Sequence, residues 1–288
     1  MSVDLRLLAG LEPEGRAIDM RAHLATHGAA PELERRHADW LIGALRDAGL
    51  TGRGGAGFPA ADKLAAIAGA RRAVVIANGS ESEPMSAKDR VLLQYAPQLV
   101  LDGATLVAQV LGAREALIVA PPDTLGHVHA AIADRGRAGR VQLRPFPSAP
   151  GYVGGEESAL IAHLEGRPAR PRVKPPMAFE HGLHGRPTIV HNVETLAQIA
   201  LVARGAGPSA TRLVTVSGAV GAPGVYEVST TARLRDIVEF AAAQRRRSAR
   251  RCLAATSEAG TRATVATRRP AGPASSWPSG APRAASPR

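Results

Sequence analysis

Cysteine occurs once in the 288 residues, at Cys252. A single thiol excludes a disulfide framework and any all-cysteine metal or iron–sulfur centre within this chain. Aromatic residues make up only 3% of the sequence, so the core has to be assembled from Ala, Val, Leu and Ile. No run of about 18 uncharged apolar residues occurs, so no direct membrane insertion is expected. The start, Met1-Ser2-Val3-Asp4, lacks the basic and apolar regions of an export signal. These absences point to a cytoplasmic protein. His127 and His129 are two apart, which on a helix turns them in different directions. His181 and His184 flank a loop-like Gly-Leu pair, and no metal site is expected at either.

Positive charge is abundant but unevenly spread. The chain carries a formal +11, of which residues 241–288, with ten arginines, no lysine and one acid (Glu258), hold +9. Residues 1–240 therefore carry +2, a near-neutral body with a basic end. Residues 1–38 are polar, mixed and helix-compatible, and no chemistry is read from them. A helix is expected over 39–49 and a second from Lys63 to Ala70. Ala73–Ala77, Ala116–Ala120 and Val141–Phe146 read as buried strands. Asp89–Tyr95, Pro97–Leu111 and Thr124–Arg135 read as the helices between them. Such alternation argues for a parallel, helix-covered sheet with its ligand at the carboxyl ends of the strands. From about Thr211 the pattern changes. Two strands (212–220 and 225–229) around a Gly-Ala-Pro-Gly turn, then a helix at 234–242, open a small α+β unit. Residues 243–288, made of Arg, Ala, Ser, Pro, Gly and Thr with little apolar periodicity, are expected to be disordered.

Within this frame, Gly52-Arg53-Gly54-Gly55-Ala56-Gly57-Phe58-Pro59 stands out. Glycine loses the most backbone entropy on ordering and packs no side chain, so the run is costly to stability. In return its backbone can take φ > 0, lie flat against a ligand and aim N–H groups at phosphate or a flat ring. A solvated flexible loop is the alternative. Gly151-Tyr152-Val153-Gly154-Gly155 leads into Glu156-Glu157-Ser158 at a helix start, and Asn192-Val193-Glu194-Thr195 opens the helix 193–203. Both are places where unpaired N–H groups can meet an anion.

Taken together, the motifs resemble a known family. Thr51 to Pro59 with Lys63 is similar to the loop of the flavin-binding, NADH-oxidising subunit of respiratory complex I. The same module occurs in NAD-linked hydrogenases and formate dehydrogenases. Asn78-Gly79-Ser80-Glu81-Ser82-Glu83-Pro84 with Lys88-Asp89-Arg90, Gly151 to Leu160, Arg172-Val173-Lys174-Pro175-Pro176, and Pro187 to Leu196 resemble its further signatures, in order. The resemblance implies FMN and NAD(H) in one cavity, with hydride passing from NADH to FMN and electrons leaving to iron–sulfur partner subunits. It implies catalytic roles for Glu81 and Glu157. It implies cofactor contacts from Arg53, Gly54, Gly55, Ala56, Gly57, Phe58, Lys63, Asn78, Tyr152, Gly155, Glu156, Asn192 and Thr195. Glu156 and Glu157 have a plainer explanation as helix-start acids favoured by the dipole.

The expected fold is α/β: a parallel, helix-covered, Rossmann-like sheet, then an incomplete ubiquitin-like (β-grasp) α+β domain and a disordered basic tail. The divisions expected are 1–38, 39–208, 209–242 and 243–288. The expected setting is cytoplasmic, peripheral to the inner membrane through a complex.

Departures from the family pattern are specific. Ser80 stands where an aspartate is usual, His191 at the first of two asparagines, Met177 at a phenylalanine and Ala66 at an aromatic. Two lost aromatic contacts weaken NADH binding by roughly 1–3 kcal/mol, or about 5- to 150-fold. Met177 recovers part of this through its polarizable sulfur. The cysteines that ligate the family's [4Fe–4S] cluster are missing, so that cluster is expected to be absent. The abrupt Arg/Ala/Ser/Pro end reads as the product of a frameshift in a GC-rich gene. Rival readings are a flavin-binding remnant with little NADH turnover, or an interaction protein acting through its basic tail. That tail has no lysine and no accompanying folded motif, so nucleic acid is not the expected partner.

Overall fold

A computed structural model describes residues 5–11, 15–136, 139–243, 255–257, 260–262 and 264–265. The central sheet has four parallel strands in the order β3-β2-β1-β4: β1 (Val74–Asn78), β2 (Glu115–Ala120), β3 (Gln142–Pro147) and β4 (Thr188–Asn192). Helices cover both faces. Val75, Ala77, Ala116, Ile118 and Ile189 join a core with α5 (Pro97–Leu111) and α8 (Val193–Ala203). Val74, Ile76, Leu117, Val119 and Val190 pack instead on Leu160, Ile161 and Leu164 of α7 (Glu157–Leu164). Burial on both faces explains why β1 and β2 read as unbroken apolar runs. β3 lies at the sheet edge, where Pro145 and Pro147 sit without a ladder N–H to lose.

The remaining helices are α1 (Met20–His27), α2 (Ala38–Asp47), α3 (Ala60–Ala65), α4 (Lys88–Tyr95) and α6 (Leu125–Asp134). The second expected helix therefore begins and ends earlier than 63–70. Ala60, Ala61 and Leu64 are the apolar positions that bury, and the following turn carries Ile67 into the core. β4 is a strand that the sequence pattern does not announce, because only Thr188, Ile189 and Val190 mark it before its motif turns polar. α5 and α8 cross closely: a Cβ at Gly103 would lie 1.9 Å from the Leu196 carbonyl oxygen. Among the described residues no single helix is long and apolar enough to cross a membrane. The bent pair α4–α5, which passes by length and composition together, is core.

The chain ends in a second unit of two antiparallel strands, β5 (Thr211–Val216) and β6 (Gly224–Ser229), with α9 (Leu234–Ala243). β5 stops at Val216, and a turn occupies the stretch to 223 where the strand was expected to run on to 220. One face of this sheet joins the main core through Leu213 and Val225; the other packs Tyr226 and Val228 on Ile237 and Ala241. Of the segment expected to be disordered, β7 (Ala255–Ser257) pairs with β8 (Gly260–Arg262), and β9 (Thr264–Val265) pairs with Val225 and Tyr226. The rest of that segment lies outside the described residues.

The amino-terminal region, from which the sequence gives no role, ties the two units together. Backbone N–H groups of Arg6, Leu7 and Leu8 donate to the Glu227 carboxylate at 3.0–3.1 Å, as does the Thr211 hydroxyl at 2.6 Å. Leu7 and Leu8 are fully buried. Further along, His23 Nε2 meets Asp102 Oδ2 at 2.8 Å, and Arg135 and Arg204 also donate to that carboxylate. Burial alone would raise the Asp102 carboxyl. The His23 bond and the two guanidiniums hold it well below the usual carboxylate range.

Candidate functional site at the carboxyl ends of β1 and β4

β1 and β4 are neighbours because the chain, after running β1-β2-β3 to one edge, returns to place β4 on the other side of β1, which makes their carboxyl ends a topological switch point. Asn78 and Asn192, the last residues of the two strands, are register partners there. Asn78 Nδ2 donates to the Gly155 carbonyl at 2.8 Å, fixing the 151–155 turn over the strand end. Asn192 caps α8, its Oδ1 accepting from Glu194 N at 2.9 Å while Nδ2 donates to Asp89 Oδ2 at 2.7 Å.

The glycine loop closes on itself through Gly52 N–H to the Phe58 carbonyl (2.8 Å) and lies against the start of α8. Arg53 N–H donates to Thr195 Oγ1 at 2.9 Å, and a Cβ at Gly54 would come within 3.3 Å of Asn192 Cβ. Gly55 (φ 107) and Gly57 (φ 64) take the left-handed conformations that glycine permits. Gly54 to Phe58 are exposed, and among the described residues the N–H groups of Gly54, Gly55, Ala56 and Gly57 have no acceptor. Added Cβ atoms at Gly55 and Gly57 would meet nothing within 4 Å, so there is room beside the loop.

Charged groups surround this loop in pairs. Lys63 Nζ donates to Glu157 Oε1 at 3.0 Å and to the Val190 carbonyl at 2.7 Å. Glu156 caps α7 through Ser158 N (2.8 Å) and Ala159 N (2.9 Å), and accepts from Lys174 Nζ at 2.9 Å. Burial would raise the Glu156 carboxyl, but the Ser158 and Lys174 bonds prevail and lower it. Its plainer explanation as a helix-start acid thus holds alongside any contact with a ligand. The chain has three lysines, Lys63, Lys88 and Lys174, and each lies here against a carboxylate. In a chain that uses arginine almost everywhere else, the retained lysines mark places that want a compact, rotatable ammonium. That scarcity is the signal in the sequence that could have added Lys88 and Lys174 to the site.

Not every residue anticipated at the site faces the open loop. The Glu81 side chain is 1% exposed. Its carboxylate accepts from Asp89 N (2.9 Å), Arg90 N (3.0 Å) and Ser86 Oγ (2.9 Å), anchoring the first turn of α4. Burial, reinforced by Asp89, pushes its pKa up. Thr195 is fully buried and holds the loop through Arg53. Tyr152 and Phe58 are exposed rings beside the site, and Tyr152 OH donates to Glu83 Oε1 at 2.9 Å. Ser80 Oγ and His191 Nε2 are buried without a partner among the described residues, at two of the positions where the sequence departs from the resembled pattern. Burial, then the nearby Lys63 charge, lowers the His191 pKa to about 3, so the ring is neutral.

The donor set fits a phosphorylated flavin: free loop amides for an anion or ring edge, exposed flat side chains, and ammonium groups balanced by carboxylates. Comparison with known proteins agrees. Residues 45–201 match the family model described as the Nuo51 FMN-binding domain. An NADH-quinone oxidoreductase component of Aquifex aeolicus is 35% identical over 214 residues, covering 66% of this chain and 50% of that protein. The alpha subunit of the NAD-reducing hydrogenase HoxS of Cupriavidus necator is 35% identical over 231 residues, covering 71% and 38%. A crystal structure of NAD+-reducing [NiFe]-hydrogenase in the H2-reduced state superposes with a TM-score of 0.67 at 40% identity, covering 72% of this chain and 39% of that one. The chain spans about half the length of the curated NADH-quinone oxidoreductase relatives it matches. With the matched region running from the end of α2 through α8, across the glycine loop and both strand ends, this chain belongs to the Nuo51 FMN-binding domain family.

Proposed function

We propose that this chain is the cofactor-binding part of an FMN-dependent NADH:acceptor oxidoreductase, taking FMN and NADH together at the carboxyl ends of β1 and β4. The observation that carries the proposal is the exposed stretch of amides at Gly54–Gly57, without acceptors among the described residues, beside the Lys63–Glu157 pair. When bound, FMN supplies the hydride-accepting chemistry that no side chain has. The chain's own residues bind and orient. The loop amides offer donors to phosphate or to a ring edge, and Lys63 brings a positive charge whose excess is balanced by Glu157. Glu157 Oε2 keeps free acceptor capacity among the described residues, so this carboxylate can hold a donor group of the bound dinucleotide. Phe58 and Tyr152 supply flat contacts of about 0.5–1.5 kcal/mol each. Glu81 acts one step back, fixing the 79–88 loop by anchoring α4.

Electrons leave to iron–sulfur partner chains in this proposal, in a cytoplasmic complex peripheral to the membrane. The hairpin and α9 are the opening of a β-grasp unit. The test is purified full-length chain reconstituted with FMN, followed anaerobically on addition of NADH. The flavin band should bleach, and steady turnover should need an artificial acceptor such as ferricyanide. Failure to retain flavin refutes the proposal. Retention without bleaching leaves the flavin-binding remnant as the correct description. A Glu157→Ala protein that bleaches as fast as wild type removes that residue from the site.

A further inference from the structure

Three segments of the site are bonded to β5 or to Ser209 just before it. Arg53 of the glycine loop donates from Nη2 to Ser209 Oγ at 2.9 Å, just before β5. Ala87, at the end of the 79–88 loop, donates from its N–H to Thr215 Oγ1 at 3.0 Å. At the start of α8, Glu194 Oε1 accepts from Leu213 N at 2.9 Å. β5 is an edge strand of its sheet, so the Leu213 N–H faces away from β6 and a carboxylate of the cofactor domain covers it. Glu194 is the hub. It is 1% exposed, holds Lys88 Nζ at 3.1 Å through Oε2 and lies 4.0 Å from Arg53 Nε. Lys88 in turn reaches Asp89 and Asn192. Burial alone would lower the Lys88 pKa, yet Asp89 and Glu194 hold it well above the ordinary value, so it stays charged. Leu213 itself inserts into the main core.

We infer that β5 is a positioning element of the cofactor site: through Ser209, Glu194–Leu213 and Thr215 it sets the glycine loop, the start of α8 and the 79–88 loop in mutual register. The second unit is then part of the binding machinery, and the cofactor domain is incomplete without residues 209–216. The inference rests on the proposed FMN function for its consequence, though the bonds themselves do not.

The test uses full-length chain with Ser209→Ala, Thr215→Val and the double variant, each removing one side-chain bond outside the ligand-facing surface. Thr105→Val is the control, since it deletes a comparable bond on α5 (Thr105 Oγ1 to Leu101 O, 2.8 Å) away from the site. FMN affinity, from quenching of flavin fluorescence, should weaken about fivefold in each single variant and roughly twentyfold in the double. The control should stay within about twofold of wild type. Without FMN, amide hydrogen exchange at Gly52 and Arg53, the loop amides that have acceptors, should quicken in the β5 variants and not in the control. Exchange that matches wild type, or an equal effect in Thr105→Val, overturns the inference. If wild type fails to bind FMN, the functional proposal falls, and the exchange measurement alone then decides the role of β5.

Discussion

Acid should destabilise this protein through one buried ring, and replacing that ring should remove the effect. His191 is 4% exposed at the end of β4, with Nε2 unpartnered among the described residues. Burial and Lys63 depress its pKa from 6.5 to about 3. The unfolded chain takes up this proton first, so the stabilisation is complete above pH 6.5 and is lost as pH falls toward 3. At about 1.36 kcal/mol per pH unit, the total loss is ~5 kcal/mol, of which about half falls between about pH 7.5 and 4.5. For a protein of this size that is a fall of about 5–10 °C in Tm. The assay is thermal unfolding of wild type and His191→Asn over this range. His27, pushed down to about 4 by burial, His23 and Arg204, titrates in both proteins and cancels in the comparison. Asparagine does not titrate, so the variant should lose about 2–3 kcal/mol less than wild type. Parallel pH profiles would refute a neutral, desolvated His191.

Three further substitutions test other parts of the argument. Gly103→Ala places a methyl group 1.9 Å from the Leu196 carbonyl, and forcing α5 from α8 should cost about 1–3 kcal/mol, read from the urea midpoint. Asp102→Asn leaves Arg135 and Arg204 without their shared anion. A loss of about 3–5 kcal/mol is expected by chemical denaturation, and a change below about 1 kcal/mol would show that the cluster is already solvated. Lys63→Met removes the charge facing Glu157. Cofactor affinity, measured by equilibrium titration, should fall about tenfold, and an unchanged dissociation constant would place Lys63 in the scaffold.

Much of the α/β frame was legible because its signals are local. Two-sided burial made β1 and β2 continuous apolar runs, and the glycines with their following Phe58-Pro59 announced a loop of permissive backbone. β4 escaped, since its motif is half polar and its pairing with β1 spans more than a hundred residues. The amino-terminal clasp was equally hidden. Nothing near Arg6-Leu7-Leu8 shows that their amides meet Glu227, which is a polar residue in an otherwise apolar strand until the chain folds around it.

By itself the sequence determined which residue types gather into motifs and their order, and through them the resemblance to a flavin-binding family. Tertiary structure decided which of those residues are bonded into the frame and which keep open hydrogen-bonding groups. Glu81 and Thr195 carry the right chemistry but spend it on backbone N–H groups of α4 and the glycine loop. The Gly54–Gly57 amides remain without acceptors among the described residues. The reason is physical: a hydrogen-bonding group becomes a binding group only when no nearer partner satisfies it, and nearness across loops more than a hundred residues apart is settled by the packing of β1, β4 and β5.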